Sequence, residues 1–253
     1  MLRLLSLNLN YRVAKHGTWA ERCARIVETV ERHGVDVMAL QAVEGEGRWN
    51  QAQELAERLD FGHVAFVAAT QDRGVRRGSA FISRFPLDDV AVCELTRCGA
   101  HPDPDRRLVL RARVRANGSS TDIYNAHFSW VAPQAVENAR ETLAFRGDRP
   151  GLLLGDLNSA PDSAALGILR AGGWIDAWAA LRGAEPGYTF EADRPAQRID
   201  YVLATEDARP RVHALECVGA PPGAPVRLSD HLALLVTLDD GAPSVRQENE
   251  SAC

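Results

Sequence analysis

The sequence lacks the cysteine pattern of a disulfide-bonded or zinc-binding protein. Its five cysteines, Cys23, Cys93, Cys98, Cys217 and Cys253, are scattered, and they form neither a CxxC pair nor a Cys/His ligand spacing. An odd number of scattered cysteines favours reduced thiols over disulfides. We therefore expect a protein of a reducing compartment, the cytoplasm.

Long apolar runs and an excess of positive charge are also missing. No stretch of about 18 apolar residues predicts a membrane span, and the start MLRLLSLNLN is typical of a strand rather than of a signal peptide. The formal net charge is −5, so no overall attraction to nucleic acid is expected, although a local basic cluster is compatible with it. We expect no membrane association.

The 253 residues, 45% of them hydrophobic, are enough for one sizeable core. We predict one domain over residues 1–239 and a disordered tail over 240–253, where the sequence is polar and aperiodic. Residues 18–33 have helical spacing between a capping box and Gly34. Asn117-Gly118 predicts a hairpin turn.

Helices alternate with strands early in the chain and with hairpins later. This mixed pattern favours an α/β fold with two packed sheets and helices outside, a four-layer sandwich. A three-layer doubly wound sheet is the competing interpretation, and periodicity alone does not separate the two.

Polar side chains stand where the predicted strands end, which is where functional sites are usually assembled. Taken singly, each has a structural explanation, such as a turn hydrogen bond, a cap or a structural histidine. They are Asn8, Asn10, His127, Asp156, Asn158, Asp200, Asp230 and His231.

Six short motifs occur in a fixed order: LSLNLN, LQ, NAHF, GDLNS, RIDYVL and SDH. Each is weak alone, but their common order is not expected by chance. The set resembles the endonuclease/exonuclease/phosphatase superfamily, the DNase I-like hydrolases, over about residues 2–238. The resemblance implies a four-layer α/β sandwich of two mixed β-sheets flanked by helices, and hydrolysis of phosphate esters.

The resemblance also implies a divalent-metal site. Hydrolysis brings an anionic nucleophile onto an anionic phosphorus, and a hard cation with oxygen ligands, Mg²⁺ or Mn²⁺, stabilises the charge that develops. By resemblance, Asn8 and Asp230 lie in the metal shell, with Asn10 nearby. Ala42 stands where the family has its principal metal-binding glutamate.

The remaining polar residues have catalytic roles by the same resemblance. Asp156 orients or deprotonates the attacking water, and Asn158 holds the phosphate or the nucleophile. His231, held in its tautomer by Asp200, contacts the phosphate and can transfer protons. His127 donates to a non-bridging oxygen as charge builds there.

The motif Leu40-Gln41-Ala42 departs from the family's Leu-Gln-Glu, because a methyl group cannot bind a cation. Three interpretations are open: an inactivating replacement in an otherwise intact enzyme, natural loss with a remaining binding role, or compensation by Glu44 or Glu46. We favour the first, since every other motif is intact, and consider compensation the weakest.

The substrate is not fixed by the family, since phosphomonoesterases and phosphodiesterases share one core. Arg77, Arg107, Trp130 and Arg198 are candidate substrate-binding residues, because arginines and aromatics near such a site bind phosphates and bases. We lean towards a small phosphorylated metabolite or nucleotide, since the chain is acidic and has no long basic insertion. A DNA or RNA nuclease and a catalytically silent phosphate-binding module are the alternatives.

Overall fold

Two β-sheets packed face to face form the centre of the protein. The computed structural model describes residues 1–98, 103–221 and 223–239. The first sheet contains β1 (Leu2–Asn8), β2 (Val37–Glu46), β3 (Trp49–Asn50), β4 (His63–Asp72), β5 (Val75–Ser83), β12 (Val212–Val218) and β13 (Ala233–Leu238). The second contains β6 (Leu87–Leu95), β7 (Arg107–Ala116), β8 (Ser119–His127), β9 (Leu152–Asp156), β10 (Trp174–Asp176) and β11 (Asp200–Thr205).

The strand orders are β12-β13-β1-β2-β5-β4, with β3 paired to β2, and β10-β11-β9-β8-β7-β6. In the first sheet, β1 lies between two partners. It pairs with the parallel strand β2 on one side and with β13, the last described strand, in antiparallel orientation on the other. Both sheets are therefore mixed, as predicted.

Five helices lie along the chain: α1 (Trp19–His33), α2 (Gln51–Leu59), α3 (Ala132–Arg146), α4 (Ala164–Ala171) and α5 (Ala177–Arg182). α1 and α2 cover the outer face of the first sheet, and α3 and α4 cover that of the second. Side chains alternate across each strand: Leu4 packs between the sheets, whereas Leu5 packs against the helices. The four-layer sandwich is confirmed, and the three-layer alternative is excluded.

The strong local sequence signals correctly predicted where a helix begins and ends and where a hairpin turns. Thr18 and Glu21 form the predicted capping box of α1, and Gly34 ends that helix with a left-handed φ of 58°. Asn117 and Gly118 both have positive φ in the turn that joins β7 and β8. None of the helices in the described residues is both long and apolar enough to cross a bilayer.

Four strands were not predicted: the short strands β3 and β10 and the longer strands β6 and β12. β6 and β12 are edge strands of the second and first sheets, and each is partly exposed. An edge strand buries only part of one face, so its hydrophobic pattern is weak. The predicted tail, 240–253, lies outside the described residues. Residues 99–102 also lie outside them; they belong to the segment 99–107, for which the Gly and Pro content of GAHPDPDRR predicts a loop.

Strand register gathers the predicted polar residues at one end of the sandwich. In the second sheet, Asp156 is opposite both His127 and Asp200. In the first sheet, Asn8 is opposite Gln41, one residue before Ala42. The two sheets therefore bring their polar strand ends to the same edge.

Gly155, in the GDLN motif, has a φ of 143°, and a Cβ at this position would lie 1.9 Å from the carbonyl oxygen of Ala126. We expect Gly155→Ala to lower the free energy of unfolding by about 2–5 kcal/mol, because backbone strain and overlap add. Urea denaturation measures this. The matched control is Gly167→Ala in α4, where a Cβ meets nothing within 4 Å and stability should hold or rise by up to about 1 kcal/mol. Equal stability of the two variants would contradict the steric explanation.

Candidate active site

A cleft of about 430 Å³ opens at this edge, between the ends of β1, β8 and β9 and the loop before β13. Its volume is that of a small-ligand site. The lining residues are Asn8, Asn10, Tyr11, Ala42, Asp105, Arg107, His127, Trp130, Asp156, Asn158, Phe190, Gln197, Ile199, Asp230 and His231. The cleft thus gathers every predicted site residue except Asp200, Arg77 and Arg198.

His231 is a buried cation in this cleft. Its Nδ1 lies 2.8 Å from Oδ2 of Asp200, directly behind it. Burial lowers the pKa of His231, but the carboxylates of Asp200 and Asp156 outweigh burial and raise the pKa well above its ordinary value. The ring is therefore protonated at neutral pH. Its Nε2 lies 3.8 Å from Asp156 and 4.0 Å from Asp230.

Asp156 lies at the centre of the site and joins the two sheets. Its Oδ2 accepts a hydrogen bond from Nδ2 of Asn8, 2.8 Å away, and its Oδ1 accepts one from the backbone N–H of Asn158, also 2.8 Å away. Burial raises the pKa of this carboxyl group, and the charge of His231 opposes that effect. A carboxylate held by fixed donors beside a cation can orient a water molecule and accept its proton.

His127 is neutral, and Arg107 donates a hydrogen bond to its ring. Nη1 of Arg107 lies 2.6 Å from Nε2 of His127. Arginine only donates, so Nε2 accepts and is not free to donate to a phosphate oxygen. Burial, with the charges of Arg107 and His231, lowers the pKa of His127 well below its ordinary value. Arg107 itself is buried and anchored by Asp103, 2.8 Å away.

Ala42 sits in a bulge of β2. The register against β5 shifts between Leu40 and Val43, and Ala42 has a left-handed φ of 49°. The bulge places residue 42 in the wall of the cleft, together with Asn8 and Asp230. A bulge of this kind re-aims a side chain next to a site.

Glu44 and Glu46 are not among the described residues that line the cleft. Glu44 is buried and bonds to Arg12 and to Nε of Arg77, the latter at 3.1 Å. Glu46 is exposed and pairs with Arg12 at 3.2 Å. Neither carboxylate replaces the missing glutamate in this arrangement.

The remaining donors still fit a hard divalent cation. Asp230, Asp156 and Asn8 line the cleft. The amide oxygen of Asn8 accepts a hydrogen bond from the backbone N–H of Asn10 at 2.8 Å and keeps a second lone pair for a cation. Mg²⁺ binds through one or two carboxylates while keeping several waters. Asp156, Asp200 and His231 also place potential ligand atoms within 4.8 Å of one another, but a protonated His231 cannot act as a ligand. Asp230 is already bonded, at Oδ2, to Nδ2 of Asn10 at 2.7 Å. The donor set therefore fits a hard divalent cation, and the methyl group of Ala42 adds no ligand to it.

The other predicted substrate-binding residues differ in position. Trp130 lines the cleft and is 62% exposed. Arg198 pairs with Asp176 at 2.8 Å and braces the chain beside the cleft. Arg77 lies over the ring of Tyr11 at 4.8 Å and pairs with Glu44, next to the cleft rather than in it.

Five lining residues were not predicted from the sequence: Tyr11, Asp105, Phe190, Gln197 and Ile199. Burial raises the pKa of Tyr11, so its hydroxyl keeps its proton and lies 3.4 Å from Asp105. The ring of Phe190 contacts that of His231 at a centroid distance of 4.9 Å. Asp105 lies two residues before Arg107 in the chain, and neither Asp105 nor Phe190 belongs to the six motifs.

A polar bridge between the sheets supports the floor of the cleft. Nε2 of Gln41 donates to Oδ1 of Asn125 at 2.8 Å. Nδ2 of Asn125 donates in turn to the carbonyl oxygens of Leu40 and Ala80, each at 2.9 Å. All four residues are fully buried. This bridge fixes the chain immediately before Ala42 relative to His127, two residues after Asn125.

The two-sheet sandwich and a cleft of carboxylates, amides and histidines define a hydrolase of phosphate esters. The sequence model of the endonuclease/exonuclease/phosphatase family matches residues 5–231. The chain belongs to this family, whose members are divalent-metal-dependent phosphoesterases and nucleases. A search of curated proteins finds no match.

Solved structures of the family share the fold. An endonuclease/exonuclease/phosphatase from Beutenbergia cavernae is 24% identical, with a TM-score of 0.73 over 94% of this chain and 71% of that one. A mannosyl-6-phosphatase from Bacteroides thetaiotaomicron is 17% identical (TM-score 0.71; 94% and 100%). An AP endonuclease from Archaeoglobus fulgidus is 19% identical (TM-score 0.69; 94% and 100%). At these identities the similarity shows the fold alone.

Proposed function

We propose that the protein is a Mg²⁺- or Mn²⁺-dependent phosphoesterase acting on a phosphomonoester or phosphodiester of a small phosphorylated metabolite or nucleotide. We further propose that Ala42 impairs it by removing a metal ligand. The observation that carries the proposal is the convergence of a carboxylate, Asp156, with two cations, Arg107 and His231, in one cleft. A phosphate needs cations to bind it, and its hydrolysis needs a base for the water.

Each group has a role that its surroundings support. Asp156, with its oxygens fixed by Asn8 and Asn158, orients the attacking water and accepts its proton. Arg107 and the His231 cation bind the phosphate oxygens, and Asp200 positions His231. Charge-assisted donors of this kind stabilise the negative charge that grows on the oxygens.

The metal would be held by Asp230 and Asn8, with Asn10 orienting Asp230 through their 2.7 Å hydrogen bond. When bound, a divalent cation stabilises charge on the phosphate and leaving-group oxygens. Because residue 42 offers only a methyl group, we expect weak metal binding by this chain.

The alternative of a DNA or RNA nuclease is supported by arginines beside the cleft. Arg77, Arg106 and Arg107 line a narrow depression that shares Tyr11, Asp105 and His127 with the cleft. Such side chains would contact further phosphates of a strand. We rank it second because Arg77 is already paired with Glu44 and the formal net charge of −5 gives no overall attraction to a polyanion.

The alternative of a silent phosphate-binding module is supported by Ala42, because the loss of a carboxylate at this position leaves the anion-binding cations Arg107 and His231 in place.

We propose that the protein is located in the cytoplasm. The four described cysteines are free thiols, and a reducing compartment keeps thiols in this state.

The test is a substrate panel assayed with the chain and with its Ala42→Glu variant in Mg²⁺ or Mn²⁺. The panel contains a generic phosphodiester, nucleotides, sugar phosphates, and single- and double-stranded DNA and RNA. If the variant turns over a substrate and EDTA abolishes that turnover, the enzymatic function is supported. The preferred substrate then identifies the substrate class. If neither protein turns over any substrate while phosphorylated ligands still bind, the binding module replaces the enzyme.

A further inference from the structure

A second, larger depression continues from the cleft along the chain between β9 and β11. This groove has a volume of about 620 Å³ and shares Asn158, Gln197 and Ile199 with the cleft. A molecule whose phosphate lies between Asp156 and His231 can therefore extend into the groove without leaving the protein surface. We call it the Tyr188 groove.

The walls of the Tyr188 groove are mostly apolar and small. Pro161, Pro186, Ala160 and Ala184 line it, together with the ring of Tyr188, which is 43% exposed. An exposed tyrosine between prolines and alanines offers a flat face to a ring and few partners to hydroxyl groups. The chemistry of the groove thus favours a planar ring over a sugar.

The charged residues of the groove do not suit a second phosphate. Arg198 lines it, but the guanidinium is paired with Asp176 at 2.8 Å, and Glu185 adds a negative charge. The exposed Gln197 side chain forms no hydrogen bond to any other described residue. An uncommitted amide at the junction with the cleft can bond to the polar edge of a ring.

We propose that the Tyr188 groove binds the planar ring, a nucleobase or an aryl group, of the organic substituent esterified to the phosphate. This inference rests on the proposed function and narrows its substrate class to ring-bearing phosphoesters. Tyr188 stacks on the ring, and Gln197 contacts the ring edge.

Equilibrium binding by calorimetry tests the proposal without requiring turnover. The chain, in Mg²⁺, is titrated with inorganic phosphate, ribose 5-phosphate, AMP and phenyl phosphate. We expect at least one ring-bearing ligand to bind about 5- to 100-fold more tightly than ribose 5-phosphate, the range that stacking on an aromatic residue gives. Tighter binding of AMP alone identifies a nucleobase site, and tighter binding of phenyl phosphate identifies an aryl site.

Three variants examine the groove separately from the cleft. Tyr188→Ala should remove the preference for the ring, whereas Tyr188→Phe should keep it. Ala184→Trp, which fills the groove, should remove it as well. Inorganic phosphate should bind equally to all of these variants.

The proposal is overturned if ring-bearing ligands bind no better than ribose 5-phosphate, or if their advantage survives both Tyr188→Ala and Ala184→Trp. In either case phosphate binding persists, and the proposed function stands. If inorganic phosphate itself does not bind, the proposed function fails, and the ring site fails with it.

Discussion

The Ala42→Glu variant is expected to hydrolyse its preferred phosphoester about a thousandfold faster than the chain itself in saturating Mg²⁺. Metal-ion catalysis contributes several kcal/mol to such reactions, and about 4 kcal/mol corresponds to this factor. The comparison requires kcat/KM for both proteins at several Mg²⁺ concentrations.

The structure gives the reason for so large an effect at one position. Ala42 is 3% exposed and lines the cleft with Asn8 and Asp230. Its left-handed backbone costs little more with glutamate than with alanine, because both residues carry a Cβ. A carboxylate at this position adds a charged oxygen ligand to a site that otherwise relies on Asp230 and an amide oxygen.

Ala42→Gln is the matched control, because it adds the same bulk without the charge. This variant should remain as slow as the original chain. The glutamate variant should also gain thermal stability on Mg²⁺ addition beyond what the original chain gains, since a ligand stabilises the state that binds it. Equal rates for the glutamate and glutamine variants would show that residue 42 does not supply a metal ligand.

Asp200→Asn, made in the Ala42→Glu background, is expected to lower kcat about 100- to 10,000-fold, while KM changes little. Asp200 contacts the ring nitrogen of His231 at 2.8 Å and raises the pKa of that histidine. Asparagine keeps the shape but removes the charge and allows the wrong tautomer. Steady-state kinetics separates the loss of kcat from any change in KM.

The double variant Asp200→Asn/His231→Gln shows whether the loss of kcat acts through His231. Asp200 is a positioning residue, so its replacement should cost little more once His231 is gone. Asp122→Asn is a control at the opposite end of β8, where a buried carboxylate pairs with Arg113 at 2.7 Å. This control should leave kcat unchanged. Additive losses in the double variant would mean that Asp200 acts independently of His231.

The parts of the fold that could be predicted from the sequence were those encoded within a few residues. The start of α1 at Thr18 and the turn at Asn117 follow from local hydrogen bonds and backbone preference. The edge strands β6 and β12 carry no such signal, because each pairs on one side only, with β7 and β13, and buries only part of one face. The four-layer arrangement followed from the order of motifs rather than from periodicity.

The candidate site, like the fold, could be predicted from the sequence only in part. Asn8, Asp156 and His231 were predicted because polar residues stand at strand ends in a family order, and the cleft brings all three together. The contact of Arg107 with His127 and the bulge at Ala42 were not predictable. Both depend on the register between neighbouring strands, and no short sequence motif encodes that register.

The pairing of β1 with β13 constrains how the protein is made. Ribosomes synthesise β1 first and β13 last of the described strands, so one edge of β1 stays unpaired through most of translation. An unpaired strand edge can associate with another chain. Asp230 and His231 also emerge only at this late stage, immediately before β13. A nascent chain therefore lacks Asp230, His231 and the last wall of the cleft until β13 pairs with β1.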